Sequence, residues 1–284
     1  MAGRPQRKLI AMKIIAVLAL LFLAAGIPYV GSSAVPDTAN DNPEFYFTRL
    51  RYRENGMRTR GTMAKPEPYH CPEFGGGKFF PPQGWGWATD YPGADCKFMG
   101  GVHRLTGLPV YTHPNIIDIL NPKLFTFPYV YIVEPDGIYI NDEQAARLRE
   151  FFARGGFLHV DDFWGRWQKD NFESQIRKVF PEKRLEVLPL SHEIFHTFYD
   201  INEILQVPNA SNGCYGPPYW EQPDDKEPRI YGIADERGRL QVVVTYNSDL
   251  GDAWEYMDLG CYPQKLTGQA YRLGLNFMIY AMTH

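Results

Sequence analysis

Cysteine is scarce in this chain of 284 residues: Cys71, Cys96, Cys214 and Cys261 are the whole set, and none forms a C-x-x-C pair. Disulfides are thereby favoured over a zinc knot. Basic charge is also short, with 29 lysines and arginines against 33 acids, so nucleic acid is not expected as a partner. Internal repeats and low-complexity tracts are missing, which removes solenoids and propellers. Long apolar runs are missing too, except for "IIAVLALLFLAAGI" near the N-terminus.

That run is framed as a targeting segment. Arg4, Arg7, Lys8 and Lys13 stand at or before its start, Pro28 and "GSSA" follow, and Ser32 and Ala34 are placed as in an A-x-A cleavage site. Residues 1–34 are expected to be a signal peptide, 35–42 a linker, and 43–284 a single α/β domain. The protein is then exported, to the periplasm or beyond the cell. If the segment is not processed, Ile14 to Val30 becomes its one membrane contact, although it is short for a span and broken by Gly26 and Pro28. Cleavage after Ala34 lowers the lysine and arginine count from 29 to 25 and leaves a net charge of −8. An oxidising compartment turns four cysteines into two disulfides, with three pairings open. Cys71 with Cys96 and Cys214 with Cys261 is preferred, because each pair staples a Gly/Pro-rich segment.

Periodicity gives the element order. "FYFTRLRYR" alternates as a strand, and 54–89 reads as a long Gly/Pro/Trp-rich loop. A helix over "DYPGADCKFMGGVHRLTG" is expected to be capped by Asp90, followed by a short strand "LPVYTH". "PYVYIVEP", "FLHVDD" and "LEVLPL" read as strands, "NDEQAARLREFFARGG" and "NFESQIRKVFP" as helices, and residues 229–249 as a hairpin turning at Arg237 and Gly238. "PQKLTGQAYRLGLNFMIYAMTH" closes the chain as an amphipathic helix. Strands alternating with helices predict a doubly wound, mostly parallel, flavodoxin-like sheet with a C-terminal hairpin and helix.

Ligands in such sheets bind beyond the carboxyl ends of the strands. Glu134, Asp161, Asp162, His192, His196, Asn247, Asp249 and Asp252 all follow strand ends, and their carboxylates and imidazoles suit a divalent metal or acid–base chemistry. The candidate binding set is Asp161, Asp162, His192, Glu134, Asn247, Asp249, Trp85 and Trp87, and the candidate metal set is His192, His196 and Asp162. Asp161 and Asp162 are adjacent, so one is expected to face the crevice while the other serves the backbone. Trp85, Trp87, Trp164, Trp167, Trp220 and Trp254 fall in loops or at element starts, where aromatic rings bind ligands or pack under loops.

His192, Glu193 and His196 match H-E-x-x-H, which on a helix places two zinc ligands and a general base on one face. Here the segment lies between Pro189 and Pro208, its residue types favour a short turn, and no third-ligand motif follows. A zinc protease is not expected.

The segments "FTRLRY", "WATDYPGAD", "GGFLHVDDFWG", "LPLSHEIFHTFYDI", "GRLQVVVTYNSDLGDAWE" and "AYRLGLNFMIYA" resemble the bacterial domain of unknown function 4159 family. The resemblance implies a fold like that of class I glutamine amidotransferases, an exported or membrane-associated location, and no assigned reaction or cofactor. In amidotransferase-like folds the nucleophilic cysteine occupies the strand–helix turn where this chain carries Asp161 and Asp162, so thiol chemistry is not expected. The leading expectation is a domain that binds a small ligand or an envelope partner through the crevice. The rival is a metal-dependent hydrolase built on Asp161, Asp162, His192 and His196.

Overall fold

The computed structural model describes residues 44–54, 71, 86–111 and 113–284. The signal-peptide and linker expectations, Trp85 and most of the 54–89 loop lie outside the described residues.

The main sheet has seven strands in the order β3-β1-β4-β6-β9-β8-β7. They are β1 (Thr48–Arg51), β3 (Asn115–Asp118), β4 (Tyr129–Val133), β6 (Phe157–Phe163), β7 (Glu186–Val187), β8 (Arg229–Ala234) and β9 (Leu240–Tyr246). β3, β1, β4, β6 and β9 run parallel, and β8 is antiparallel to both of its neighbours. A separate pair joins β2 (Arg53–Glu54) to β5 (Ile138–Tyr139). The central parallel strands β4, β6 and β9 are buried throughout, as expected where helices cover both faces.

Side-chain alternation splits the core in two. Phe47, Tyr129, Tyr131, Phe157 and Val243 point to one face, where α1 (Gly93–Thr106), α5 (Leu250–Glu255) and α6 (Gln264–Thr283) pack. Leu50, Val130, Ile132, Leu158, Val160 and Val244 point to the other, beneath α2 (Asp142–Ala153) and α3 (Gly165–Ile176). Asn141 caps α2 in a capping box with Gln144, as the sequence predicts.

Several local expectations are corrected. The strand expected at "LPVYTH" is only a bridge between Val110 and Phe45. α3 begins at Gly165 and ends at Ile176, earlier than predicted. "LEVLPL" contributes two edge residues, because β7 finds a partner only on the β8 side. Asp90 is not the cap of α1: Pro92 holds that position and no side chain bonds there.

Cys71 pairs with Cys96 and Cys214 with Cys261, leaving no free cysteine. The two disulfides suggest an oxidising, exported environment. Thiol titration of the unfolded, unreduced protein is expected to find no reactive thiol; two or more per chain would contradict the pairing. No helix among the described residues is long and apolar enough to cross a membrane.

Candidate functional site

At the C-terminal edge of β4, β6 and β9 the backbone leaves its ordinary range. Asp90, Glu134, Asp162 and Asn247 take positive φ values of 61°, 46°, 54° and 55°, and they are all the non-glycine residues that do so among those described. Such conformations cost of order 1–3 kcal/mol each and persist only where the surroundings hold them. Glu134 follows β4, Asn247 follows β9, and Asp162 sits where the β6–β9 register shifts between Val160 and Phe163.

This bulge makes the adjacent aspartates inequivalent. Asp161 is fully buried and fully engaged. Its Oδ2 accepts from Tyr131 Oη at 2.9 Å, Leu250 N at 3.0 Å and Gly251 N at 3.1 Å, and its Oδ1 accepts from Thr245 Oγ1. It ties β6 to the start of α5. Asp162 accepts only from Trp164 Nε1, at 2.7 Å, among the described residues. Glu134, Glu221, Asp249, Asp90 and Asp161 surround it with further negative charge.

A second group lies beside it. The carboxylates of Asp90, Asp252 and Glu255 each offer an oxygen within 4.8 Å of the others. Asp252 and Glu255 are one helical turn apart on α5, so they share a face. Asp249 caps α5 through Asp252 N at 2.7 Å and faces Asp162, Asp252 and Asp90. Gly93 and Gly251 make the approach possible: a Cβ at Gly93 would lie 2.6 Å from Glu255 Oε1, and one at Gly251 would collide with Asp90 Oδ2.

Burial is the first cause of every perturbation here, and neighbouring negative charge reinforces it. Asp90, Asp162 and Asp249 are held well above the usual carboxylate range. Glu255 is pushed up to about 8 by burial and then by Asp252, and Asp161 to about 6 by burial, although its hydrogen bonds pull it back. Burial also raises Glu134, Asp252 and Glu221. The nearest cations are already committed. Arg49 holds Asp95 at 2.5 Å, and Lys97 holds Asp258 at 2.9 Å and the Glu255 carbonyl at 2.6 Å.

Other candidates have structural work. Asn247 Oδ1 accepts from Gly165 N at 3.0 Å, and its amide donates to the carbonyls of Asp225 and Glu227. Trp87 is buried in the core, with its carbonyl accepting from Arg49, rather than displayed as a binding ring. Trp164 and Trp254 are buried as well, whereas Trp167 is exposed and Trp220 lies under Lys226.

The histidines are not brought to this edge. Glu193–Phe195 is a single 3-10 turn, so H-E-x-x-H never gains the face that zinc ligation needs. His192 Nδ1 accepts from Ile194 N, and both ring nitrogens of His196 are used, by Asp200 and the Leu190 carbonyl. His192 packs near Tyr280, whose hydroxyl accepts from Leu240 N at the start of β9. Asp161 meets the chain just beyond the far end of that strand, roughly 20 Å away along an extended strand. The metal set of His192, His196 and Asp162 is therefore not assembled, and the hydrolase crevice built on it is not formed. Glu193→Gln is expected to change stability by no more than about 0.5 kcal/mol, as for an exposed substitution, read by denaturant titration.

Sequence reading missed Asp90, Glu255 and Glu221. The acids at 249, 252 and 255 recur every third residue, which on a helix start was a readable signal; Asp90 and Glu221 had none.

None of the curated proteins matches the sequence. The profile of the family described as domain of unknown function (DUF4159) matches residues 82–282, most of the chain and all of α1, α5 and the strand ends after β4 that carry the acidic edge. This chain belongs to the DUF4159 family.

Proposed function

We propose that the protein is an exported domain of the cell envelope that binds a positively charged ligand or partner at the C-terminal edge of its parallel sheet. One observation carries this reading: carboxylates from five chain segments converge on that edge while the nearest cations among the described residues, Arg49 and Lys97, are paired with other acids. Buried like charges are costly, Arg49 and Lys97 offset them only in part, and a cation arriving from solution relieves them further.

The finer fold reading is flavodoxin-like, of the kind found in class I glutamine amidotransferases. Its support is the order β3-β1-β4-β6-β9, which reproduces the 2-1-3-4-5 arrangement and puts the strand-order reversal between β1 and β4. Asp90 and Glu134 lie beyond those strands, where that fold class places its ligands. The amidotransferase thiol has no counterpart, because every cysteine is in a disulfide.

The test is a thermal-shift series on the processed chain at fixed ionic strength, with spermidine and with the chlorides of calcium, magnesium and manganese, against sodium chloride. At least one of these cations should raise the melting temperature of the wild type and not of Asp162→Asn/Asp249→Asn. Equal responses in both proteins would remove the acidic edge as the binding site. Export is checked in the same preparation by the mass of the mature N-terminus, expected to lack the first 34 residues.

A further inference from the structure

We infer that Asp90, Asp252 and Glu255 form a binding site for one hard divalent cation, with calcium the best-fitting ion. This rests on the acidic-edge reading above and narrows it to a site and an ion.

The donors are all carboxylate oxygens, which select hard cations over zinc or copper. They come from two elements, the loop before α1 and α5 itself, so one ion would tie these together. The mutual spacing of no more than 4.8 Å matters. One ion can gather oxygens that already lie this near one another. Calcium tolerates an irregular all-carboxylate set, whereas magnesium demands near-ideal octahedral geometry and sheds its waters reluctantly, so the trio suits calcium better.

A separate observation points to a missing partner. Asp90 is 8 % exposed, and its Oδ2 is buried with no hydrogen-bond partner among the described residues. It rests against the Gly251 backbone, beside Asp252, on the helix that carries the other two acids. The Asp90 and Asp252 carboxyls also lie within hydrogen-bond reach of each other, so only a shared proton or a cation can join them. A buried acceptor left without a donor is unfavourable. A cation satisfies it directly. Access runs past Asp252, which is only partly buried.

The glycines fit the same account. Side chains at 93 and 251 would push Glu255 and Asp90 out of the trio, so their absence keeps two oxygens close.

The experiment is equilibrium dialysis of the chelator-stripped, processed chain against labelled calcium, with magnesium and manganese as competitors, and near-UV circular dichroism to confirm folding. Wild type should bind one calcium per chain, magnesium should compete more weakly, and Asp252→Asn and Glu255→Gln should each lower affinity at least about tenfold. Asp170→Asn, an exposed acid on α3, should bind as wild type does. Folded Asp252→Asn and Glu255→Gln that bind calcium like wild type would overturn the site. If wild type is stabilised by spermidine but takes up no divalent ion, the inference fails and the acidic-edge reading stands; if it responds to neither, both fail.

Discussion

Asp161→Ala is expected to lower stability by roughly 3–5 kcal/mol at pH 5, while Asp162→Asn raises the melting temperature in chelator-treated buffer. Removing the Asp161 carboxyl leaves the amides of Leu250 and Gly251 buried without an acceptor and strands the Tyr131 hydroxyl. Each orphaned buried group costs about 1–3 kcal/mol. Asp162 gives up one indole bond when neutralised but loses repulsion from Glu134 and Glu221. The Asp161 deficit should also depend on pH. Burial lifts its folded pKa to about 6, against an unfolded value of about 3.9. Between those values the folded state holds the extra proton, and that advantage is lost as pH rises through about 6. The cost of Asp161→Ala should therefore shrink from pH 5 to pH 7.5. Urea titrations of both variants at the two pH values check this. Equal, modest destabilisation by both would mean that the two side chains do the same job.

Arg49→Met is expected to cost about 3–5 kcal/mol, the usual effect of breaking a buried ion pair by removing one partner. Arg49 and Asp95 are both fully buried, and Nε and Nη2 grip the carboxylate at distances from 2.5 to 3.2 Å. The remaining nitrogen, Nη1, donates to the carbonyls of Trp87 at 3.1 Å and Thr89 at 2.6 Å. Arg49→Met leaves Asp95 as an uncompensated buried charge. Arg49→Met/Asp95→Leu removes that charge and should recover most of the loss, since apolar replacement of a whole buried pair is often neutral or better. Cation binding should not recover with it. Trp87 and Thr89 belong to the segment that presents Asp90, and both variants lose the donor that fixes those carbonyls. Denaturant titration and calcium dialysis on the two variants separate these effects. Full recovery of calcium affinity in the double variant would show that Arg49 does not position Asp90.

The parallel α/β core was legible because its strands are short apolar runs between turn residues, and α2 and the long terminal helix were legible because their apolar residues repeat at helical spacing. Edge elements were not. β7 shrank to two residues because pairing, rather than β-propensity, decides how far an edge strand extends. Arg49 was unreadable as a core residue: in "FTRLRY" it alternates like a solvent-facing position, and only helices on both faces of β1 bury it against Asp95.

For the site, the sequence alone determined that acids follow the ends of β4, β6 and β9, since strand ends and residue types are local properties. It also determined that the H-E-x-x-H residues would make a turn. Which acids meet is a tertiary result. His192 shares the strand-end signal with Asp162, yet the chain after β7 carries it to the start of β9, and the two are separated by the length of a strand. Asp90 follows no strand and looked like a helix cap, yet the packing of α1 against α5 sets it beside Asp252 and Glu255. Sequence patterns report a residue's own backbone neighbourhood, whereas a carboxylate cluster depends on contacts between segments more than a hundred residues apart, which the sheet order and helix packing alone establish.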